Sequence, residues 1–417
     1  MSKKDDTMPS IKIYTLAPLD QNEKEDLIFK YQSKYILKKL TEDIDFLKKE
    51  NQKLKERLDK LEKGMTSASA AVKTGAGGCF KFENGKLTIY SEKYFETNDN
   101  GYKNIQDVES IVLERNIQRI ANKAFNNYKN LESIYIPDSV ETIGDQAFCD
   151  CISLKSITIP ESVKNIGEWA FYKCDRLEEV TIRSKKINII KKGTFQECTS
   201  LKNINLSEGI RTIDKQSFYK CKSLESISIP QGTEIIEEQA FRECSSLKSA
   251  VVPNSVTNIG SYAFYQCTSL QNIKMPDNIG YLGEWVFYQC KSLKEMTINS
   301  KDITIISKGT FQECTSLKNI ILPENIHNIG KQAFYKCTSL EKINIPGHVE
   351  KIGEWAFADC TSIGSLTIPE SIVSILDHAF ANMTEKQKIL IKRTSSAKND
   401  WDFFWNFDCK ANITWEI

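Results

Sequence analysis

Histidine is scarce in this 417-residue chain, which has only His327, His348 and His378. They stand at different phases of the repeat described below, so they are not expected to converge on a metal or a reacting group. A charge excess is missing too. Lys and Arg number 56 against 55 Asp and Glu, a net charge of +1, with no long run of either sign. Nucleic acid needs a concentrated basic surface, which excludes it as the main partner. No stretch approaches the ~20 apolar residues of a membrane span. Met1-Ser2-Lys3-Lys4-Asp5-Asp6 lacks the apolar core of a secretory signal. Thr414-Trp415-Glu416-Ile417 has no cysteine to prenylate. These readings favour a cytoplasmic protein, with cell-surface display by an unconventional route as the alternative. Glycine-rich phosphate loops, zinc helices and nucleophile elbows are also missing. Asp and Glu fall at variable repeat positions, as solvated faces require. No catalytic residue, metal ligand or cofactor is expected.

What the chain has is a beat of phenylalanines: Phe125, Phe148, Phe171, Phe195, Phe218, Phe241, Phe264, Phe287, Phe311, Phe334, Phe357 and Phe380. The gaps are 23 residues, except for two of 24, Phe171 to Phe195 and Phe287 to Phe311. A fixed period in this range means stacked coils, hence a solenoid whose function is binding. Ten of the 13 cysteines stand three residues after a repeat phenylalanine, from Cys151 to Cys360. One phase means one column, so they are expected to be small buried hydrophobes, not disulfides or metal ligands.

One unit shows how a coil is built. Leu154, Ile157 and Ile159 alternate as a short strand, which Pro160 ends. Val163 and Ile166 turn inward, and Gly167 is expected to support a tight return at positive φ. Stacked strands of this kind make a parallel sheet along one face. The unit Leu-x-x-Ile-x-Ile-Pro-x-x-Val-x-x-Ile-Gly-x-x-Ala-Phe-x-x-Cys resembles the BspA-like leucine-rich repeats, over roughly residues 80–417. Such proteins resemble bacterial surface antigens and adhesins, and occur as large families in unicellular parasites. The resemblance implies protein recognition or adhesion rather than catalysis. Above the repeats lies a duplication. Gly167-Glu168-Trp169-Ala170-Phe171 recurs as Gly283-Glu284-Trp285-Val286-Phe287, an offset of five coils.

Ahead of the solenoid, residues 1–26 read as disordered and residues 27–64 as a helix. Leu37, Ile44, Asn51 and Leu58 take heptad position a, and Leu40, Leu47, Leu54 and Leu61 position d. A lone Asn51 with leucine at every d favours a parallel two-stranded coiled coil, hence a homodimer. In that register Asp43–Lys48, Glu50–Lys55 and Arg57–Glu62 pair between strands. Residues 65–78 read as a flexible linker. Residues 79–124 read as an N-terminal cap and degenerate first coil, with Tyr102 in the phenylalanine slot. Residues 125–391 are the solenoid and 392–417 an aromatic C-terminal cap, past the point where the period stops. The fold class is thus a β-rich leucine-rich-repeat solenoid behind an α-helical coiled coil.

Two surfaces are candidates for a protein ligand. The strand's outward column holds Tyr135, Thr158, Thr181, Asn205, Ser228, Val251, Lys274, Thr297, Ile321, Asn344 and Thr367, beside a second column of mostly small polar residues. Two residues before the phenylalanine stand Trp169, Tyr262, Trp285 and Trp355, candidate aromatic anchors.

Overall fold

A computed structural model describes residues 73–74, 79–91, 107–392 and 401–416, all within the compact unit Ala71–Ile417. They form a parallel β-solenoid of about 13 turns. The heptad residues Leu37 to Leu61 and Tyr102 lie outside the described residues.

Each coil has three sides. The first carries the strand expected from the Leu-x-x-Ile alternation. Ser156–Ile159 pairs in parallel with Glu179–Ile182, which pairs with Asn203–Asn205. Identical phases face each other, Ile157 opposite Val180 and Ile159 opposite Ile182. A parallel ladder without slip keeps every inward side chain inward. The second side carries a further ladder in place of the single sheet expected. Strands of two residues, such as Ile189–Ile190, Thr212–Ile213, Ile235–Ile236 and Asn258–Ile259, pair in parallel from coil to coil. They are too short to carry a period of two, which is why alternation did not reveal them.

The third side is a turn centred on the phenylalanine. The residues two before and two after it have left-handed backbone although most are not glycine: Trp169 (φ 51°), Lys173 (φ 56°), Gln216 (φ 57°) and Lys220 (φ 60°). Such conformations cost an L-residue roughly 1–2 kcal/mol each. Hydrogen bonds offset that cost. The amides of Gln146, Phe148 and Asp150 donate to the carbonyls of Glu168, Ala170 and Tyr172 one coil on, at 2.8, 2.7 and 2.8 Å. The turn is thus a third ladder, and it leaves few backbone groups unpaired. Gly167 is not among the positive-φ residues. A Cβ added there would lie 2.3 Å from the amide nitrogen of Asp145. Its glycine serves close approach between coils, not chain reversal.

The core runs unbroken through the stack. Leu154, Ile157, Ile159, Val163, Ile166, Ala170, Phe171 and Cys174 are all buried. From Phe125 to Phe380 the rings stack coil on coil, with centroids 5.2–5.8 Å apart and planes 28° apart at Phe125–Phe148 and nearly parallel beyond it. The ten cysteines do more than fill space. Each thiol donates to the carbonyl of the phenylalanine one coil earlier, as Cys174 Sγ to Phe148 O (3.2 Å) and Cys314 Sγ to Phe287 O (3.1 Å). That carbonyl also accepts the amide of its own coil's cysteine, Cys151 N to Phe148 O at 3.2 Å.

The ends differ from the sequence expectation. Lys73–Thr74, inside the stretch read as linker, pairs antiparallel with Phe80–Glu83, which forms a hairpin with Lys86–Ile89. That last strand opens the parallel stack against Ser110–Leu113. At the other end the period does not stop. Asn412–Trp415 pairs in parallel with Lys388–Ile391, and His378 and Asn382 donate to the carbonyls of Phe404 and Asp408 as in any other coil. Trp405 is buried edge-on against Phe380 and closes the column of rings. The wider spacing and the change of residue type hid this coil from the periodicity.

Candidate functional site

Two long surfaces emerge from this geometry. On the first side, alternation sends every second strand residue outward. Tyr135, Thr158, Thr181, Asn205, Ser228, Val251, Lys274, Thr297, Ile321 and Asn344 are exposed there, and Thr367 is half-buried. Thr158 faces Thr181, which faces Asn205, and Ser228 faces Val251, which faces Lys274. Large apolar groups stand out among the small polar ones. Tyr135 is 56% exposed, Val251 52% and Ile321 60%. Beside them runs a row of alternating charge in which Lys155 bridges Glu132 (2.7 Å), Lys202 bridges Glu178 (2.8 Å) and Lys248 bridges Glu225 (2.6 Å). These pairs are exposed to solvent, where such contacts add little to stability.

The turn side carries the aromatic anchors. Trp169, Tyr262, Trp285 and Trp355 are all half-buried. Reading the sequence missed their companions, Tyr172, Tyr219, Tyr265, Tyr288 and Tyr335, which stand one residue after the phenylalanine. Their shared phase was the available signal. The left-handed turn brings the two columns together. Trp285 meets Tyr288 edge-on (5.4 Å), Tyr265 stacks on Tyr288 (4.6 Å) and Trp355 meets Tyr335 (6.0 Å). Cations lie across the rings. Lys173 is over Tyr172, Lys192 over Trp169, Lys308 over Trp285, and Arg242 over Tyr265 at 4.6 Å. Burial, reinforced by the nearby Glu313 carboxylate, pushes the Tyr288 phenol up to about 12.

His378 belongs to this side, its ring stacked on Trp355 at 4.4 Å with Nδ1 2.6 Å from Asp377 Oδ1. His327 and His348, expected to stay apart, have ring centroids 6.3 Å apart. Their phases differ by two residues, and neighbouring coils bring those positions side by side. Both are exposed, and among the described residues no group of three or more His, Cys, Asp or Glu has the arrangement to hold a metal.

The buried thiols are chemically quiet. Burial pushes the Cys174, Cys244, Cys290 and Cys337 thiols far up. Cys149 is raised to about 12 by burial and by its hydrogen bond to Asp150. A nucleophile needs the opposite shift.

A family model described as the BspA type leucine-rich repeat region matches residues 95–225, 211–307 and 286–409. The chain belongs to the BspA-type leucine-rich-repeat family. A search of curated proteins finds no match. Among solved structures, this BspA-type chain is similar to a leucine-rich repeat protein from Bacteroides ovatus. They share 26% identity and a TM-score of 0.62, over 84% of this chain and 100% of that one. It is also similar to a leucine-rich cell surface protein from Faecalibacterium prausnitzii, at 25% identity and a TM-score of 0.47, over 84% of this chain and 96% of that one. The buried phenylalanine and cysteine columns lie within the residues that the family model matches. No helix among the described residues is long and apolar enough to cross a membrane.

Proposed function

We propose that this BspA-type chain is a non-enzymatic scaffold that binds a protein partner on the outer face of its longer strands. The observation that carries this reading is the exposure of Tyr135, Val251 and Ile321 in a column whose other members, Lys274 apart, are Thr, Asn and Ser. Apolar groups held out of the core gain about 25 cal/mol per Å² of apolar surface that a partner covers, against the entropy lost in ordering them. Small neighbours let that partner approach the strands closely. The test is capture of proteins from an extract of the source cells by the purified chain, beside a Tyr135→Asp/Val251→Asp/Ile321→Asp variant. A protein retained by the first and lost by the second supports the reading. Identical capture by both removes it.

In this proposal the heptad residues Leu37, Leu40, Ile44, Leu47, Asn51, Leu54, Leu58 and Leu61 join two chains, and the linker lets both faces engage one target with avidity. Sedimentation of the full chain and of a form lacking residues 1–64, at matched micromolar concentration, checks this. The full chain is expected to dimerise and the shorter form to remain a folded monomer. We place the scaffold in the cytoplasm. The alternative, an adhesin displayed at the cell surface, is distinguished by labelling intact cells with an impermeant reagent.

A further inference from the structure

The duplicated block holds one stretch kept without change. Residues 192–204 and 308–320 are both Lys-Gly-Thr-Phe-Gln-Glu-Cys-Thr-Ser-Leu-Lys-Asn-Ile. Elsewhere in the same block the copies have drifted, and residues 231–240 share four of ten with residues 347–356. Burial accounts for part of the identity, since Phe195, Cys198 and Leu201 are core. It does not account for Lys192, Glu197, Ser200 or Lys202, which reach solvent.

The two copies bring the same residue types together on the turn side, with the pyrrole edge of Trp169 toward Gly193 and the benzo edge of Trp285 toward Gly309. Gly193 (φ 61°) and Gly309 (φ 63°) each lie under the tryptophan of the preceding coil. A Cβ at either would fall 2.3 Å from the indole of Trp169 or Trp285. Over each indole stands a lysine, Lys192 with Nζ 5.0 Å from the ring centroid and Lys308 at 5.6 Å. Neither lysine has an ion-pair partner among the described residues. One coil on, Lys215 and Lys331 are paired with Glu238 (3.6 Å) and Glu354 (2.8 Å). In each copy a glutamine carbonyl oxygen, Oε1 of Gln196 and of Gln312, is buried with no hydrogen-bond donor. Gln312 itself is only 7% exposed. An unmet buried acceptor is costly, and here the same cost recurs five coils apart.

We infer that Trp169–Lys192 and Trp285–Lys308 are two like docking sites for a protein that presents the same acidic and apolar segment twice, as a homodimer or a tandem repeat. The inference rests on the scaffold reading above but assigns a different side of the coil. Each component has a complement. The unneutralised ammonium takes a carboxylate. The indole, with Tyr172 or Tyr288 one turn of chain away, takes an apolar side chain. Five coil steps at ~4.8 Å separate the sites by roughly 25 Å. Two linked segments spanning that distance bind with an avidity of about 10²–10⁴ over one.

The test is a phage-displayed peptide library panned on the full chain, with counter-selection on Lys192→Glu/Lys308→Glu. Enriched peptides are then synthesised singly and in tandem across a flexible linker, and titrated calorimetrically. Peptides with Asp or Glu beside an apolar residue are expected, two per chain. Lys192→Glu should leave one site and the double variant none. The tandem peptide should bind at least ~10²-fold more tightly than the single one, and lose that gain in either single variant. Lys192→Gln, with an unchanged thermal midpoint, checks that binding rather than folding is lost. One peptide per chain, or peptides indifferent to both lysines, overturns the inference. If those indifferent peptides are instead displaced by Val251→Asp/Ile321→Asp, the scaffold reading stands alone. If no peptide is enriched for any face, both fall.

Discussion

A single carbonyl explains why the repeat keeps both phenylalanine and cysteine. Phe218 O accepts the Cys221 amide within its own coil, at 3.1 Å, and the Cys244 thiol from the next, at 3.2 Å. Alanine in the cysteine slot would fill most of the space and leave the second lone pair unused. Cys244→Ala is therefore expected to cost about 1 kcal/mol, more than lost volume alone implies. Phe241, fully buried between Phe218 (5.2 Å) and Phe264 (5.3 Å), is a larger loss. Phe241→Ala should cost roughly 3–5 kcal/mol. Urea denaturation followed by circular dichroism measures both, and an unchanged midpoint for Phe241→Ala would show that the ring is not core. That these columns are buried was readable from their fixed phase. The thiol bond was not, because its donor and acceptor are 26 or 27 residues apart and meet only when coils stack.

At the scale of the element, the strands and the turn differ in how plainly they announce themselves. Leu154, Ile157 and Ile159 alternate, so the longer strand follows from the pattern. Asn165–Ile166 is two residues long and shows no pattern at all. The left-handed turn was read at the wrong position, as Gly167, because glycine is the usual occupant of that conformation. The positions that adopt it hold Gln, Lys, Glu and Trp, kept there by hydrogen bonds to the next coil. Three substitutions separate the roles. Gln332 (φ 57°) should accept glycine at no cost, or gain up to ~1 kcal/mol. Gln332→Val, branched at Cβ, should lose about 1–2 kcal/mol. Gly167→Ala should cost about 1–3 kcal/mol, because the Asp145 backbone leaves no room. Thermal unfolding of the three variants ranks them. Equal effects of Gly and Val at position 332 would contradict the left-handed assignment. The candidate surfaces follow the same division. The strand-face columns came directly from alternation, whereas the meeting of Trp285 with Tyr288 needed the turn's geometry.

Across the whole molecule, the cysteine column makes stability a function of pH. Burial raises nine thiols of the column, Cys151, Cys174, Cys221, Cys244, Cys267, Cys290, Cys314, Cys337 and Cys360, above the ordinary value of 9.0. A folded-state pKa above the unfolded one means that the folded chain holds its protons longer. The contribution is complete below the unfolded value, near pH 8.5–9. It declines as pH rises from there toward the folded value, because only the unfolded chain releases thiol protons. Each such thiol contributes a slope of about −1.4 kcal/mol per pH unit. Nine acting together approach a slope on the order of 10 kcal/mol per unit, comparable to the whole stability of an ordinary domain. The chain should therefore hold a nearly constant denaturation midpoint from pH 7 to about 7.5, begin to decline by pH 8.5 and lose stability steeply by pH 10. The native thiols should resist alkylation at pH 8 and become reactive on unfolding. Urea midpoints at pH 7, 8.5 and 10 under reductant measure the first effect. Tyrosine and lysine also titrate in this range, so a variant with Cys221, Cys244 and Cys267 changed to alanine serves as control. It should begin less stable at pH 7 yet fall less between pH 8.5 and 10. Parallel declines in the two proteins would assign the alkaline loss to other groups and leave the thiol column with a packing role only.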